Sequence, residues 1–237
     1  MIEPQDRDLE IYDDRYYLNL PVDSGRIATL LDQLEFSVDD TVCEIGCAAG
    51  HFLTEIAPLI SHGIGLDVAE PAIRAAKKIR RERGLCNVDF EQVSARDFAS
   101  REENESRFDY VLLLDVTEHI GDDAVMDILE AAKRLMKPAG LLVIHTPNLD
   151  YWLEQLKDKG IVRQLSGHIA VRNERHYRRL IDEAGFGLPR VVGLPHYRQP
   201  LRLVDLLLSG LPWVGQLFRS RLFIVVSLQG DALEELG

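Results

Sequence analysis

One short stretch of sequence decides the fold: Val42-Cys43-Glu44-Ile45-Gly46-Cys47-Ala48-Ala49-Gly50-His51-Phe52. An apolar strand pattern runs here into a group of small residues and then into a helical pattern. Small residues let the backbone approach a ligand closely, and the N–H groups of a following helix point toward the same place. The stretch therefore predicts the first strand, ligand-binding turn and helix of an open α/β sheet, whose ligands lie beyond the carboxyl ends of the strands.

Strand and helix patterns alternate on both sides of this turn. Predicted strands cover residues 41–45, 63–66, 88–93, 110–114, 141–145, 186–192 and 222–228. Predicted helices cover residues 24–34, 52–60, 71–83, 122–136 and 173–183. Asp122 is expected to cap the fourth of these helices, and the run 137–140 to break that helix. Strands that alternate with helices of this length form right-handed βαβ units in one parallel sheet.

Composition limits the class of protein. The chain has 237 residues, of which 46% are hydrophobic and 28% charged, a balance that suits one globular core. Its formal charge of −12 repels phosphate backbones and argues against a nucleic-acid substrate. The first ten residues do not resemble a signal peptide, and no apolar run is long enough to span a membrane. We therefore expect a cytoplasmic protein.

An acidic residue follows the second predicted strand. Asp67 comes twenty-one residues after Gly46, and a carboxylate there can accept hydrogen bonds from both hydroxyls of a ribose. The dinucleotide fingerprint G-x-G-x-x-G is absent, because Ala48 stands where its second glycine belongs. Glu44 precedes the turn, where it would repel a pyrophosphate but suit a cationic ligand. These residues favour a nucleoside that carries positive charge over a nicotinamide dinucleotide.

The turn resembles motif I of the class I S-adenosylmethionine-dependent methyltransferases, whose cofactor carries a sulfonium and an ammonium group. Later segments are similar to that family as well: 94–98 after the third strand, 108–120 around the fourth, and 137–143 at the entry to the fifth. The resemblance runs from about residue 41 to residue 186. It implies a Rossmann-like, doubly wound α/β fold with a seven-stranded sheet, mostly parallel with an antiparallel last strand, and helices on both faces.

The resemblance also implies which residues hold the cofactor. Asp97 takes the position of the acidic side chain that meets the adenine amino group. The full set of expected cofactor contacts is Glu44, Gly46, Cys47, Ala48, Gly50, Phe52, Asp67, Val68, Arg96, Asp97, Asp115 and Val116. Ala48 and Ala49 depart from the family's glycine-rich pattern, which requires an unstrained φ there or a small backbone shift. We expect cofactor binding to survive, because alanine adds only a methyl group.

Three interpretations remain open for the loop after the fourth strand. A hydroxyl acceptor must lose a proton, and His119, with Glu118 beside it, is the candidate catalytic base. Asp115, Glu118 and His119, with the distant His168, are also similar to the set that holds a divalent metal in ubiquinone-biosynthesis O-methyltransferases and small-RNA 2′-O-methyltransferases. A metal there would lower the pKa of the acceptor hydroxyl. Alternatively, these residues only shape the loop.

Residues 167–186 resemble a segment of small-molecule, quinone-precursor and sugar methyltransferases, which implies a small-molecule acceptor and favours O-methylation over N- or C-methylation. A cofactor-binding partner or scaffold without catalysis is the alternative class. We expect a single domain over residues 1–237, with an N-terminal arm and helix over 1–40, a cofactor-binding core over 41–147 and an acceptor-side region over 148–237.

A leucine-rich insertion covers about residues 198–220 and is flanked by arginines. Apolar residues beside cations suit peripheral contact with a membrane or with a lipid-linked acceptor. The same residues could instead roof the acceptor pocket, form a dimer patch, or make two helices that pack on the sheet.

Overall fold

The structure is a computed structural model that describes Tyr17, residues 22–164 and residues 167–229. The expected N-terminal arm therefore lies largely outside the described residues. The strands are β1 (Thr41–Ile45), β2 (His62–Asp67), β3 (Val88–Gln92), β4 (Phe108–Leu114), β5 (Met136–Pro147), β6 (Arg190–Leu194) and β7 (Arg221–Ser227). The α-helices of the described part are α1 (Ser24–Leu31), α2 (His51–Ile56), α3 (Glu70–Glu82), α4 (Ala95–Ala99), α5 (Asp122–Leu135), α6 (Trp152–Asp158), α7 (Glu174–Glu183) and α8 (Leu201–Leu208).

The seven strands form one sheet in the order β3-β2-β1-β4-β5-β7-β6. Neighbouring strands from β3 through β5 pair in parallel, whereas β7 runs antiparallel to both β5 and β6. The strand order reverses between β1 and β4, because β2 and β3 lie on one side of β1 and the later strands on the other. This sheet confirms the fold predicted from the sequence, including its antiparallel last strand.

Helices cover both faces of the sheet. Apolar side chains of α4, α5 and α7 pack against one face, where Phe98, Leu129 and Tyr177 are buried. Side chains of α1, α2 and α3 pack against the other face, where Leu30 and Phe52 are buried. Every residue of β4 except Asp109 is buried, which is the profile of a central parallel strand covered on both sides.

The helix predicted to break at the run 137–140 does so, and the structure places the run itself inside β5. Phe108 pairs with Met136 and Tyr110 pairs with Leu141. Residues 137–140 therefore form an irregular bulge opposite Asp109. The helix does end before them, at Leu135. Hydrophobic periodicity signals a strand only where side chains alternate in burial, and a bulge interrupts that alternation.

Several other boundaries differ from the sequence-based expectation. Helix α1 ends at Leu31, and α2 gives way to a 3₁₀ turn over Ala57–Leu59 that contains Pro58. Strand β6 begins at Arg190, four residues later than expected. Gly121, not Asp122, is the N-cap of α5. The described residues contain no helix that is both long and apolar enough to cross a membrane.

Candidate active site

The turn after β1 is shaped by glycines in the left-handed region. Gly46 has φ of +73°, and a Cβ built on it would lie 2.5 Å from a methyl group of Val116. Gly50 has φ of +70°, and its Cβ would lie 2.4 Å from the ring of Phe90. Only glycine fits both positions without displacing a neighbour. The turn after β1 therefore packs directly against Val116, which follows the end of β4.

Ala48 occupies the same turn with φ of +48°. Of the two expectations for this position, an unstrained φ or a small backbone shift, the unstrained φ is wrong. The alanine keeps the left-handed geometry of a glycine, which costs an L-residue about 1–2 kcal/mol. Ala49, by contrast, is not among the residues with positive φ and is fully buried. Backbone strain at a ligand-binding turn persists where the surrounding structure enforces it.

Asp67 closes the turn from the end of β2. Its Oδ2 accepts the main-chain N–H of Ala48 at 2.9 Å, and its Oδ1 accepts that of Ala69 at 2.9 Å. Burial raises the pKa of Asp67, and these N–H bonds partly oppose the shift. Each carboxylate oxygen retains a second lone pair. Asp67 is therefore fixed in position and still able to accept bonds from two ligand hydroxyls.

Glu44 lies beneath the turn, with 4% of its surface exposed. Its Oε2 has no hydrogen-bond partner among the described residues. Burial raises the pKa of Glu44 to about 8, although the positive charge of Arg26 opposes the shift. A buried carboxylate oxygen without a partner is costly, so the site fits a ligand that brings a cation or a hydrogen-bond donor.

Asp115 stands at the end of β4, with φ of +60°. Its carboxylate contacts Arg26 Nε at 2.5 Å, Arg221 Nη1 at 3.0 Å and His145 Nδ1 at 3.1 Å. Burial alone would raise the pKa of Asp115, but His145, Arg26 and Arg221 hold it well below its usual value. The predicted site residue is therefore the centre of a charge network.

Arg26 is a site residue that the sequence reasoning missed. It extends from α1, the helix that precedes the turn, and lies within reach of the charges of both Asp115 and Glu44. The available signal was its position directly before the buried Ile27, on the inward side of an amphipathic helix. A single chain gives no means of telling such an arginine from a surface one, because long cationic side chains usually extend to water.

The other predicted cofactor contacts differ in their exposure and in whether they lie at the turn after β1. Val68 is 70% exposed beside Asp67, and Asp97 is exposed in the first turn of α4, which follows β3. Arg96 instead extends to Asp127, 2.9 Å away on α5. The side chains of Phe52 and Cys47 are buried in the core, so only their backbone borders the turn. The structure thus gathers most of the predicted set at one edge of the sheet and turns Arg96 away from it.

The candidate catalytic residues lie in a 3₁₀ turn, Thr117–His119, just beyond β4. Glu118 is buried, and its Oε2 accepts a bond from the Thr146 hydroxyl at 3.3 Å. Burial, together with the nearby charge of Asp115, raises the pKa of Glu118 to about 8. The main-chain carbonyl of Glu118 accepts bonds from Ile169 and Ala170, which joins this turn to the segment that carries His168.

His119 and His168 face each other across this junction. Their ring centroids are 5.0 Å apart in an edge-to-face arrangement. His119 Nδ1 is 2.9 Å from the carbonyl oxygen of Gly167, which can only accept, so Nδ1 donates this bond and Nε2 is the ring nitrogen left to act as a base. Burial and the neighbouring His119 lower the pKa of His168 to about 4. Its buried Nδ1 has no partner among the described residues.

These residues fit a divalent cation. One potential ligand atom from each of Glu118, His119 and His168 lies within 4.8 Å of the other two, and within residues 22–164 and 167–229 this is the one group of that kind. Imidazole nitrogens and a carboxylate are suitable ligands for divalent metals. Asp115, the fourth predicted candidate, stands outside the group because Arg26, Arg221 and His145 engage its carboxylate.

Arg172 fixes the candidate catalytic turn, Thr117–His119, from behind. Its guanidinium is 2% exposed and donates to the carbonyl oxygens of Thr117, Ala170 and Ile120 at 2.6 to 2.9 Å. It also donates to Asp122 at 2.8 Å, which explains why Asp122 serves this arginine and not the helix end. A planar guanidinium with several donors can hold such a set where a lysine cannot.

A polar cavity of about 240 Å³ opens beside the candidate catalytic turn. His168 lines both the cavity and the candidate metal group. The remaining walls include Tyr151, Lys157, Tyr197, Ser220 and Arg221. The hydroxyl of Ser220 is buried and has no hydrogen-bond partner among the described residues. The cavity is therefore equipped to receive a small molecule with polar groups.

This sheet topology, with a glycine turn after β1 and an acidic residue after β2, defines a class I S-adenosylmethionine-dependent methyltransferase. Residues 22–189 match the family described as methyltransferase domain, and the chain belongs to that family. S-adenosylmethionine is accordingly its cofactor. The carboxylate of Asp67 and the unpartnered oxygen of Glu44 fit a cationic nucleoside of this kind.

Curated relatives are similar over part of the chain. The ubiquinone biosynthesis O-methyltransferase of Paraburkholderia phytofirmans is 34% identical over 108 residues, which is 46% of this chain and 44% of that protein. The enzyme of the same name from Cereibacter sphaeroides is 35% identical over 105 residues, covering 44% and 40% of the two chains. The chain thus matches less than half the length of these relatives.

Solved structures share the fold at low sequence identity. A methyltransferase from Archaeoglobus fulgidus, described as dependent on S-adenosylmethionine, has a TM-score of 0.62 and 16% identity, covering 85% of this chain and 91% of that one. A geranyl diphosphate C-methyltransferase from Streptomyces coelicolor, in complex with Mg²⁺, geranyl diphosphate and S-adenosyl-L-homocysteine, has a TM-score of 0.59 and 16% identity. It covers 86% of this chain and 77% of that structure.

Proposed function

We propose that this enzyme transfers the methyl group of S-adenosylmethionine to a hydroxyl oxygen of a small molecule. The observation that carries the proposal is the position of His119. His119, whose Nε2 is free, belongs to the turn directly beyond β4. A polar cavity lies next to this turn, and His168 belongs both to the wall of that cavity and to the candidate metal group. The names of the partial relatives, which are O-methyltransferases, support the same choice over N- or C-methylation.

Each residue around the turn after β1 is proposed to bind a different part of the cofactor. Asp67 accepts bonds from the ribose hydroxyls, and Asp97 meets the adenine amino group. The partnerless carboxylate oxygen of Glu44 is suited to the methionine ammonium, and the guanidinium of Arg26 to the methionine carboxylate. Each assignment joins a charged or polar group of the ligand to a protein group of complementary chemistry at the same edge of the sheet.

His119 is proposed to remove the proton of the acceptor. The hydroxyl oxygen forms a bond to the methyl carbon as the bond from that carbon to sulfur breaks, and the sulfur keeps the electron pair as a neutral thioether. The hydroxyl proton passes to Nε2 of His119, which becomes an imidazolium while Nδ1 keeps its bond to the Gly167 carbonyl. A positioned base of this kind typically contributes about 10²- to 10⁴-fold to the rate.

Glu118, His119 and His168 support a second mode of catalysis, because one potential ligand atom of each lies within 4.8 Å of the other two. Glu118, His119 and His168 would then hold a divalent cation. When bound, such a cation lowers the pKa of the acceptor hydroxyl and orients it. In this mode, Glu118 loses its proton to become a ligand, and His168, whose low pKa keeps it neutral, contributes a ring nitrogen.

The acceptor is proposed to occupy the polar cavity. Ser220 and Tyr197, between β6 and β7, and Lys157 of α6 offer hydrogen-bonding groups. We accordingly divide the chain, taken as one domain over 1–237, into an arm and helix over 1–40, a cofactor core over 41–147 and an acceptor side over 148–237. A small hydroxylated molecule can form hydrogen bonds with the polar groups of these walls, whereas a wholly apolar one cannot. The hydroxylated molecule therefore fits better, because a buried polar group without a partner is costly.

A screen of catechols, phenols and sugars, read by release of S-adenosyl-L-homocysteine, tests the proposal. With an accepted substrate, His119→Ala should lower kcat by about 10²-fold or more and leave cofactor affinity unchanged. His62→Ala, at the opposite end of the sheet, is the matched control and should retain activity. Retained activity in His119→Ala, or methylation of amines alone, would overturn the proposal.

The two modes separate in the same assay. If His119 acts alone as the base, His168→Ala has a small effect and chelation by EDTA has none. If a cation is held, His168→Ala loses as much activity as His119→Ala, and Mg²⁺ or Mn²⁺ restores the EDTA-treated enzyme. Calorimetric titration of the protein with each cation gives an independent readout that does not require an acceptor.

A further inference from the structure

Helix α8 has an inverted distribution of polar and apolar side chains. Its acidic residue, Asp205, is fully buried and accepts the main-chain N–H of His196 at 2.8 Å. Leu203, Leu206 and Leu207 lie outward, with 55%, 54% and 68% of their surface exposed. Surface helices of globular proteins normally bury the apolar stripe and expose the acid. The leucine-rich segment was expected to pack on the sheet as one alternative, and for these leucines that expectation is wrong.

The apolar surface continues beyond the helix. Leu211 is 46% exposed and Trp213 is 95% exposed. Trp213 is held with φ of +72°, a conformation that a bulky residue rarely adopts. We call the surface formed by Leu203, Leu206, Leu207, Leu211 and Trp213 the insertion face. Large exposed apolar side chains grouped in this way mark an interaction site more often than they occur by chance.

The charge around the insertion face is opposite to that of the whole chain. The chain carries a formal charge of −12, yet residues 198–221 contain four arginines and a single acidic residue, the buried Asp205. Arg202 and Arg219 form no ion pair with any residue of the described part of the chain. Trp213 and Arg219 border the same open recess. An apolar face edged by unpaired arginines complements a surface that is apolar inside and negatively charged outside.

The insertion face also has a defined place relative to the acceptor cavity. Tyr197 and Arg198 line the cavity immediately before the insertion, and Ser220 and Arg221 line it immediately after. Both ends of the segment that carries the insertion face therefore adjoin the cavity.

We propose that the insertion face docks the enzyme on the surface of an anionic lipid membrane. The leucines and Trp213 enter the boundary between headgroups and acyl chains, and Arg202 and Arg219 contact the lipid phosphates. Docking of this kind is peripheral. The docking is independent of the proposed chemistry, whereas the delivery of an amphiphilic acceptor to the cavity from that membrane rests on the proposed function.

Flotation of the full chain with vesicles tests the docking. Vesicles of phosphatidylcholine with phosphatidylglycerol should carry the protein upward, and vesicles of phosphatidylcholine alone should carry much less. High salt should weaken the binding because it screens the arginines. The emission of Trp213 should shift to shorter wavelength on binding, with the half-buried Trp152 as a constant background. An absence of binding to the anionic vesicles would overturn the proposal.

Variants assign the binding to this surface. Leu207→Ser with Trp213→Ser should abolish flotation, and Arg202→Glu or Arg219→Glu should each weaken it by roughly fivefold or more. Val38→Ser is the matched control, because Val38 is 71% exposed directly before β1, at the opposite end of the sheet. Undiminished flotation of the double variant would contradict the proposal. Calorimetry with S-adenosylmethionine verifies that each variant is folded and keeps the test separate from the test of acceptor chemistry.

A second copy of the chain is the competing occupant. If light scattering shows a dimer that Leu207→Ser with Trp213→Ser converts to a monomer, and vesicles bind neither form, the insertion face is a contact between copies and the membrane proposal is wrong.

Discussion

The main-chain N–H of Ala48 donates to Oδ2 of Asp67 across 2.9 Å. This bond links the turn after β1 to the carboxylate at the end of β2, so the two elements that would hold the cofactor are positioned by each other. It also gives a reason why a residue at position 48 keeps a left-handed backbone although it is not glycine. The strain at Ala48 and the orientation of Asp67 are parts of one arrangement.

Replacing Ala48 by glycine should stabilise the protein. Alanine at φ of +48° bears about 1–2 kcal/mol of conformational strain that glycine does not. Glycine loses more backbone entropy on folding, which offsets about 0.5–1 kcal/mol of the gain. We expect the free energy of unfolding of Ala48→Gly to rise by up to about 1 kcal/mol in urea denaturation.

Ala49→Gly is the matched control for this prediction. Ala49 is fully buried and lacks a positive φ, so the glycine there should destabilise the protein. Equal destabilisation of both variants would show that position 48 carries no strain.

Glu44 should make the stability of the protein depend on pH. Burial raises its pKa from 4.5 to about 8, against the opposing charge of Arg26 and with the reinforcing charge of Asp67. Because the folded-state pKa is the higher one, the stabilising contribution is complete below pH 4.5 and is lost as the pH rises toward about 8. Glu44→Gln should remove a fall on the order of a few kcal/mol across this window.

Chemical denaturation at a series of pH values measures the effect of Glu44. The exposed Glu82, on α3, supplies the control, since Glu82→Gln should leave the pH profile of the wild type unchanged. A profile for Glu44→Gln parallel to that of the wild type would mean that Glu44 does not titrate in this range.

Arg172 is expected to be a positioning residue for the catalytic turn. Arg172→Lys keeps the charge but cannot bind three carbonyl oxygens and Asp122 at once. We expect kcat with an accepted substrate to fall by at least about tenfold, and the free energy of unfolding by roughly 2–3 kcal/mol. The affinity for S-adenosylmethionine should stay the same, because Arg172 does not reach the turn after β1.

Arg178→Lys is the comparison for Arg172, because Arg178 pairs with Glu174 at the surface. If Arg172→Lys kept the full kcat while losing stability, Arg172 would serve the fold alone.

The sequence was sufficient for the parts of the fold that depend on local patterns. The strand at residues 41–45 and the helices that alternate with the strands are visible from hydrophobic periodicity, and the family resemblance supplied the antiparallel last strand. The bulge at 137–140 is not predictable from the sequence, because it depends on how β5 pairs with Phe108 and Tyr110 of the neighbouring strand. A local sequence pattern does not show which residues pair across a sheet.

The candidate site likewise contains residues that the sequence predicts and residues that only the tertiary structure reveals. Asp67 and Glu118 follow strand ends, and a position at a strand end can be read from the chain. Arg26 reaches the site only because α1 packs beside β4, and that contact depends on the tertiary structure. The outward leucines of α8 illustrate the other limit, since a leucine-rich segment predicts apolar surface without saying which side is covered.

The most direct test of the account is calorimetric titration of S-adenosylmethionine into the wild type and Asp67→Ala. Loss of two hydrogen bonds from a charged group should weaken the affinity by roughly 100-fold. Asp127→Ala removes an exposed carboxylate on α5 and should bind like the wild type. If Asp67→Ala bound the nucleoside as tightly as the control, the carboxylate after β2 would not hold the ribose, and the proposed arrangement of the cofactor would be wrong.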